Sequence, residues 1–190
     1  MLSELDARIF HALYAARGGA WTPLALFFSA IGSGWVMFAV LPLAIVARWR
    51  RFGLWLSLAV VSSATLVYVL KLTVGRHRPC VSLDGVQALC PTPGDPSFPS
   101  GHAGGTFTVL AFVLVALHSH RWTWLSTAGR ALLSVVLVAL ALGVAWSRIY
   151  LGVHFPSDVT VGAVLGASIG AASARLWLRR EAALSTPTEP

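Results

Sequence analysis

Long apolar stretches alternate with short polar segments along most of the chain. Five stretches carry no charged side chain, and they cover residues 22–47, 52–70, 103–117, 131–147 and 159–174. A hydrocarbon layer about 30 Å thick is crossed by roughly 20 apolar residues in a helix. The stretches lack the two-residue period of barrel strands, and a helix satisfies its own backbone hydrogen bonds in lipid. The pattern therefore predicts an all-α, polytopic transmembrane helical bundle with five spans.

Residues 3–17 have a different pattern, in which apolar and charged positions are mixed. Asp6, Arg8 and Arg17 interrupt a helical face that carries Leu5, Ile9, Leu13 and Ala16. This is typical of an interfacial or partly inserted helix packed on the bundle, which gives six helices in all; a sixth span is the alternative. The segment lacks a short basic region followed by an apolar core, so we expect no cleavable signal peptide.

The composition supports a membrane protein. Charged residues make up 11% of the chain and hydrophobic residues 56%, whereas soluble domains carry about 25% charged residues. The net charge is +7, but the basic residues flank the apolar stretches as the positive-inside rule describes, which argues against nucleic-acid binding. These flanking residues are Arg48, Arg50, Arg51, Arg121, Arg130, Arg175, Arg179 and Arg180.

Their positions predict which loops face the cytoplasm. The arginine-rich segments should be cytoplasmic, so the loops at about 75–101 and 148–157 should lie outside the membrane on the extracytoplasmic (periplasmic or outer) face. We expect a single membrane domain over residues 1–180 and a disordered cytoplasmic tail over residues 181–190, which is polar and ends in Thr and Pro.

Charged and polar side chains converge on that outer side, where spans end. Ionisable residues at such depths are functional candidates by default. They form a basic pocket with two histidines and one carboxylate, which suits a multiply charged anion. The set comprises Lys71, Arg76, Arg78, His102, Arg148, His154 and Asp158.

Three motifs contain most of these residues. The first, Lys71 to Arg78-Pro79, provides an ammonium and a planar guanidinium for phosphate oxygens. The second, Pro99-Ser100-Gly101-His102, places an N-cap serine and a glycine at a helix start, where backbone N–H groups bind anions. In the third, Ser147-Arg148 to His154 and Asp158, the four-residue spacing lets the carboxylate orient the imidazole.

In this order, on five or six membrane helices, the motifs resemble the type 2 phosphatidic acid phosphatase (PAP2) superfamily. Within it, the short chain resembles bacterial undecaprenyl-diphosphate phosphatases. The resemblance covers residues 20–178, and every motif position matches. It implies a membrane-bound phosphoric ester or anhydride hydrolase of lipid metabolism and cell-wall biogenesis, which converts undecaprenyl diphosphate to undecaprenyl phosphate.

The resemblance also implies a mechanism through a phosphohistidine. His154 would attack phosphorus while Asp158 holds its other nitrogen, and His102 would protonate the leaving oxygen and then help to activate water. The substrate phosphate would be held by Lys71, Arg78, Ser100, Gly101 and Arg148. No cofactor or metal is expected, because the pocket has a single carboxylate and no His/Cys spacing fits a zinc site. Arg76 and His77 receive no family role and are interpreted as residues of the pocket rim.

Cys80 and Cys90, the two cysteines of the chain, both lie in the predicted outer loop. An even number of cysteines in an oxidising compartment indicates a possible disulfide, and two free thiols are the alternative.

Other functions fit the same residues. A phosphatidylglycerol phosphate or phosphatidate phosphatase would use the same pocket, as would a lipid phosphotransferase in which an acceptor hydroxyl attacks the phosphohistidine. A non-catalytic protein or a transporter that binds anionic lipid would need only the basic residues. The lipid phosphate or diphosphate substrate and the bilayer are therefore the expected partners.

Overall fold

The computed structural model describes residues 2–15, 17–34, 41–119 and 122–185, and these ranges contain helices and no strand. The predicted all-α class is therefore confirmed. Six helices of ten residues or more lie in the described ranges: α1 Leu2–Ala15, α2 Thr22–Ile31, α3 Arg50–Val74, α4 Gly101–Leu117, α5 Thr127–Tyr150 and α6 Pro156–Ser185. A one-turn helix, Pro79–Ser82, lies in the loop between α3 and α4.

Within the described ranges, three helical segments are long and apolar enough to cross a membrane, namely Arg50–Ser82, Thr127–Tyr150 and Pro156–Leu184. Helix α4 is apolar but has 17 residues. The predicted span at 22–47 begins with α2, which ends at Ile31 before Gly32. Its residues 35–40 lie outside the described ranges, and Leu41–Ala44 form a 3₁₀ turn. The total of five spans thus remains a prediction.

Large apolar side chains cover the outside of the bundle. Leu54 and Leu72 on α3, and Leu132 and Leu142 on α5, are each at least half exposed. Contiguous exposed apolar surface of this extent is unfavourable in water and favourable in contact with lipid chains. The surface is that of a membrane protein.

The centre of the bundle is formed by α3, α4 and α6. Leu56 of α3, Phe112 of α4 and Trp177 of α6 belong to one buried cluster. Helices α4 and α6 approach closely because α6 has glycines on the contact face: a Cβ at Gly166 or Gly170 would meet the backbone oxygen of Gly104 or Thr108. Small residues spaced by four permit such contact in membranes. This packing places the start of α4 beside the start of α6.

Helix α1 packs on the bundle through a face that the sequence did not indicate. Asp6 and Phe10 are buried against the protein, whereas Leu5 is 53% and Ile9 42% exposed. Phe10 contacts Phe155, with ring centroids 5.6 Å apart. The apolar face of α1 is thus directed away from the bundle, toward the region that lipid would occupy.

The chain end differs from the prediction. Helix α6 continues to Ser185, so residues 181–185 are helical rather than part of a disordered tail. Glu181 accepts a hydrogen bond from Arg51 at 3.2 Å. The Glu-Ala-Ala-Leu sequence at 181–184 has high helix propensity. Residues 186–190 of the predicted tail lie outside the described ranges.

Candidate active site

Four helix ends meet at one end of the bundle. Lys71 lies in the last turn of α3, Gly101 begins α4, Arg148 lies in the last turn of α5, and Asp158 lies in the first turn of α6. The arginines at 50, 51, 130, 175, 179 and 180 lie at or toward the other ends of these helices. All eight residues predicted for catalysis and phosphate binding therefore come from one end.

The backbone directs Arg78 into the site. Helix α3 ends at Gly75, whose φ of 62° is the left-handed conformation that glycine adopts without steric cost. Arg78 then precedes the one-turn helix in extended conformation. Its buried guanidinium donates to the Val153 carbonyl at 2.9 Å and contacts His154 Nε2 at 3.2 Å. It also donates to the backbone and carboxylate oxygens of Asp95 at 3.0 and 2.8 Å.

The contact with Arg78 determines the protonation state of His154. An arginine guanidinium can only donate hydrogen bonds, so Nε2 must accept and carries a lone pair. His154 is consequently neutral, with its proton on Nδ1. Burial, together with the nearby charges of Arg78 and Arg148, lowers the pKa of His154 against the opposing effect of Asp158. A neutral imidazole that carries a lone pair on Nε2 is the form that can act as a nucleophile.

Asp158 lies on the opposite side of the imidazole and is fully buried. Its Oδ2 lies 3.5 Å from His154 Nδ1, a distance longer than an ordinary hydrogen bond. Oδ2 accepts from Phe155 N at 2.9 Å and from the hydroxyl of Ser97, and Oδ1 accepts from Arg76 at 2.7 Å. Of these donors, Ser97 was not assigned to the site from the sequence, and Arg76 was placed in the basic pocket without a specific role.

Arg76 joins the site to α1. Its guanidinium donates to Asp158 Oδ1 at 2.7 Å and to Asp6 Oδ2 at 2.6 Å. Asp6 also accepts from the backbone N–H of Ser157 at 2.9 Å. Arg76 does more than the sequence interpretation as a residue of the pocket rim implied, because it bridges two buried carboxylates. Asp6, one of several charged residues on α1, carried no sequence signal that distinguished it from Glu4 or Arg8.

Lys71 and Arg78 share one anionic group. The Asp95 carboxylate lies 3.0 Å from Lys71 Nζ and 2.8 Å from Arg78 Nη2, while Lys71 also donates to the Pro96 carbonyl. Burial raises the pKa of Asp95, but the two cations outweigh burial and hold that pKa below its ordinary value. The side chain of Asp95 is 46% exposed, so its carboxylate can leave without disrupting a core.

The start of α4 contributes the second motif. Ser100 is the N-cap, as predicted, and its hydroxyl accepts from Ala103 N at 3.5 Å. Ser100 N donates to the Asp158 carbonyl at 2.9 Å, which fixes α4 to α6 at this point. The first two residues of the helix, Gly101 and His102, line the pocket, and the N–H groups at a helix start lack acceptors within the helix. His102 is within electrostatic reach of Arg148, His154, Arg78 and Lys71.

Arg148 is buried and incompletely paired. Its guanidinium donates to Ser29 of α2, and its Nε has no hydrogen-bond partner among the described residues. A buried, unpaired N–H of a cation is energetically unfavourable, so it favours an anion in the adjoining space.

A cavity of about 570 Å³ opens beside these groups. Lys71, Asp95 and His102 line its polar end, and Val60, Ala64 and Val67 of α3 line its apolar part. The cavity therefore joins a cationic end to an apolar groove between α3 and α4, a shape that suits an amphiphile with an anionic head.

Cys80 and Cys90 are free thiols in this structure, which is the second of the two alternatives considered from the sequence. They pack in different clusters, with Cys80 beside Phe10 and Val86, and Cys90 beside Tyr150 and Leu151. No group of three or more His, Cys, Asp or Glu side chains in the described ranges is arranged to hold a metal ion.

Comparison with known proteins identifies the family. The sequence profile described as the PAP2 superfamily matches residues 52–182. The chain belongs to the PAP2 superfamily. An undecaprenyl-diphosphatase of Sulfolobus acidocaldarius is 32% identical over 154 residues, 80% of this chain and 69% of that protein. A decaprenylphosphoryl-5-phosphoribose phosphatase of Mycobacterium tuberculosis is 36% identical over 73% of this chain and 68% of its own length.

A solved structure agrees with the fold. The crystal structure of LpxE from Aquifex aeolicus superimposes with a TM-score of 0.71 and 31% identity, over 90% of this chain and 95% of that one. The resemblance stated from the three motifs is thus confirmed. The chain is an enzyme, a PAP2-type phosphoric ester hydrolase of the lipid phosphatase family, and the alternative of a protein that only binds or transports lipid is set aside.

Proposed function

We propose that this enzyme removes the terminal phosphate of a polyprenyl diphosphate, most simply undecaprenyl diphosphate, and leaves the monophosphate. One observation carries the proposal: His154 Nε2 accepts a hydrogen bond from Arg78. The lone pair of a neutral imidazole thereby points at a cation of the kind that binds phosphate oxygens. A phosphoryl group held by Arg78 would have its phosphorus next to Nε2.

The reaction then has two displacements. His154 Nε2 forms a bond to phosphorus while the bond from phosphorus to the bridging oxygen breaks, and His102 gives its proton to that oxygen. In the second step His102 takes a proton from water, the water oxygen attacks phosphorus, and the bond between phosphorus and Nε2 breaks to release inorganic phosphate. Each step is an in-line transfer that depends on positioning and charge stabilisation.

The nonbridging oxygens need several donors at once. Lys71, Arg78 and Arg148 supply positive charge, and the Ser100 hydroxyl and Gly101 N–H supply neutral donors at a helix start. Support comes from Asp95, whose carboxylate is already bound between Lys71 and Arg78. An anionic oxygen pair fits between these cations, and a substrate phosphate would replace it.

The lipid class is supported by the cavity and by the relatives. The apolar groove lined by Val60 and Val67 continues from the cationic end, so a phosphate there could have its hydrocarbon chain along α3 and α4. The Sulfolobus relative is an undecaprenyl-diphosphatase, and the Mycobacterium relative also bears a polyprenyl name. Phosphatidylglycerol phosphate and phosphatidate remain candidate substrates, and lipid phosphotransfer remains a candidate reaction.

The proposed location is the cell membrane, with several spans and with the site on the extracytoplasmic face. The arginines at the ends of the helices remote from the site support this orientation, because short cytoplasmic loops are enriched in Arg and Lys. A polyprenyl diphosphate exposed on the outer face would reach the site without crossing the bilayer.

Phosphate release by the purified protein in lipid nanodiscs tests the proposal. Polyprenyl diphosphate, phosphatidylglycerol phosphate and phosphatidate would be compared at equal surface concentration, and we expect the highest kcat/KM for the first. His154→Ala should abolish release by about 10⁴-fold or more, whereas His118→Ala, in a histidine near the other end of the bundle, should not affect it. Substantial turnover by His154→Ala would refute the phosphohistidine, and preference for another lipid would reassign the substrate.

A further inference from the structure

The position of Ser97 suggests a role that the three motifs do not include. Ser97 is fully buried, and its backbone N–H donates to the Arg76 carbonyl at 2.7 Å. Its hydroxyl lies 3.3 Å from His154 Nδ1 and donates to Asp158 Oδ2. The direct separation between His154 Nδ1 and Asp158 Oδ2 is longer, at 3.5 Å. The serine hydroxyl therefore contacts both of the groups that the motif spacing had paired directly.

Donor and acceptor accounting leaves one arrangement of protons. Arg78 can only donate, so His154 Nε2 accepts and the proton of the neutral ring is on Nδ1. Nδ1–H must then donate, and the nearer acceptor is the Ser97 oxygen. The Ser97 hydroxyl has one proton, which it donates to the ionised Asp158. The chain runs from the imidazole through the hydroxyl to the carboxylate, with every donor matched to an acceptor.

We propose that Ser97 is a positioning residue that couples His154 to Asp158. The proposal rests on the proposed phosphohistidine mechanism. When Nε2 bonds to phosphorus, the imidazole ring becomes cationic and Nδ1–H becomes a stronger donor. The hydroxyl donates to Asp158, which makes its oxygen a stronger acceptor for Nδ1–H and so stabilises the cationic ring. The same hydrogen bond keeps the ring plane aligned with the phosphate. No proton changes its parent atom in this step.

The surroundings keep the hydroxyl in place. Oδ2 of Asp158 also accepts from Phe155 N, and Oδ1 accepts from Arg76, so the carboxylate has little freedom to turn toward the ring. Ser97 is in turn tied to Arg76 through its backbone. Loss of the hydroxyl would leave Nδ1–H without its nearer acceptor, and only the longer contact with Asp158 Oδ2 at 3.5 Å would remain.

Two variants and one control test this role in nanodiscs with polyprenyl diphosphate. We expect Ser97→Ala to lower kcat by about 10- to 100-fold, the loss of one charge-assisted hydrogen bond, with KM nearly unchanged because the bond matters most in the transition state. Ser97→Thr keeps the hydroxyl and should recover most of kcat. Thr108→Val removes another fully buried hydroxyl, which donates to Gly104 O within α4, and should leave kcat unchanged.

The same assays separate a failure of this proposal from a failure of the mechanism. An acid-labile phosphoenzyme trapped from wild type and lost in His154→Ala would support the mechanism. With that result in hand, a wild-type kcat for Ser97→Ala, or equal losses for Ser97→Ala and Ser97→Thr, would overturn the role of Ser97. Turnover by His154→Ala would overturn both. If Ser97→Ala does not yield a monodisperse protein, Ser97→Cys has nearly the same size and a weaker donor, and a wild-type kcat in that variant would also overturn it.

Discussion

The two halves of the candidate site are built differently. Around the proposed nucleophile, the fully buried Asp158 accepts from Arg76, Ser97 and Phe155 N, and polar atoms are closely matched. Around the proposed phosphate position, the cations are held by Asp95, whose side chain is 46% exposed. There Arg148 Nε also has no partner among the described residues. One half has its hydrogen bonds satisfied and the other does not.

The difference reflects what each half must do. A nucleophile is effective when its ring is held in the reactive orientation before substrate arrives, which requires saturated, buried hydrogen bonds. A phosphate site must exchange its anion in every cycle, so its cations need a partner that can be displaced. The contrast predicts that substitutions around Asp158 lower kcat, whereas substitution of Asp95 changes affinity.

After His154→Ala, the largest effect should come from His102→Ala. His102 lies in the phosphate half of the site but takes part in the chemical step as the proposed acid. General acid catalysis contributes about 10²- to 10⁴-fold. We expect a loss in that range for polyprenyl diphosphate and a much smaller loss for a nitrophenyl phosphate ester, whose leaving group departs without a proton. Parallel kcat/KM measurements on the two substrates provide the check. An equal loss on both would show that His102 is not the acid.

Arg78→Lys should be next, because Arg78 contacts both halves. Lysine keeps the charge but cannot reach Asp95, Val153 O and His154 Nε2 together, as the planar guanidinium does. We expect kcat/KM to fall by about 10²- to 10³-fold, the usual cost of losing an oxyanion donor. Arg179→Lys, in an exposed arginine toward the other end of α6, is the matched control. Near-normal activity of Arg78→Lys would mean that charge alone suffices at this position.

Asp6→Asn should have a smaller effect, because Asp6 contacts Arg76 and Ser157 and none of the reacting groups. The variant removes the negative charge that binds Arg76 Nη2. The Arg76 guanidinium would then be held less firmly where its Nη1 donates to Asp158. We expect about a tenfold loss of kcat with little change in KM, together with a lower melting temperature. Glu4→Gln in the same helix is the control. If Asp6→Asn retains wild-type kcat and melting temperature, α1 is not coupled to the site.

Some features of the fold and of the site could be predicted from the sequence, and others could not. Helix-end charges and motif spacing predicted that His154, Arg78 and Lys71 would converge, because the polar groups stand out against apolar spans. The face of α1 was not predictable, because in a membrane protein the apolar side of a helix may face lipid as well as protein. Leu5 is accordingly 53% exposed and Asp6 buried. Ser97 lies in a loop without periodicity, and only the folded chain brings it into contact with both His154 and Asp158.

The smallest effect should come from Asp95→Asn, which directly tests the half of the site around the proposed phosphate position. The pKa of Asp95 lies below its ordinary value, so the carboxylate is ionised at neutral pH and competes there with phosphate for Lys71 and Arg78. Removing the charge should lower KM, and the inhibition constant of inorganic phosphate, by about two- to fivefold, the usual strength of a partly exposed ion pair. Because Asp95 does not contact His154, kcat should change little. Asp84→Asn in the same loop controls for loss of negative charge. A higher KM in Asp95→Asn would mean that the carboxylate organises the two cations for substrate instead of occupying its place.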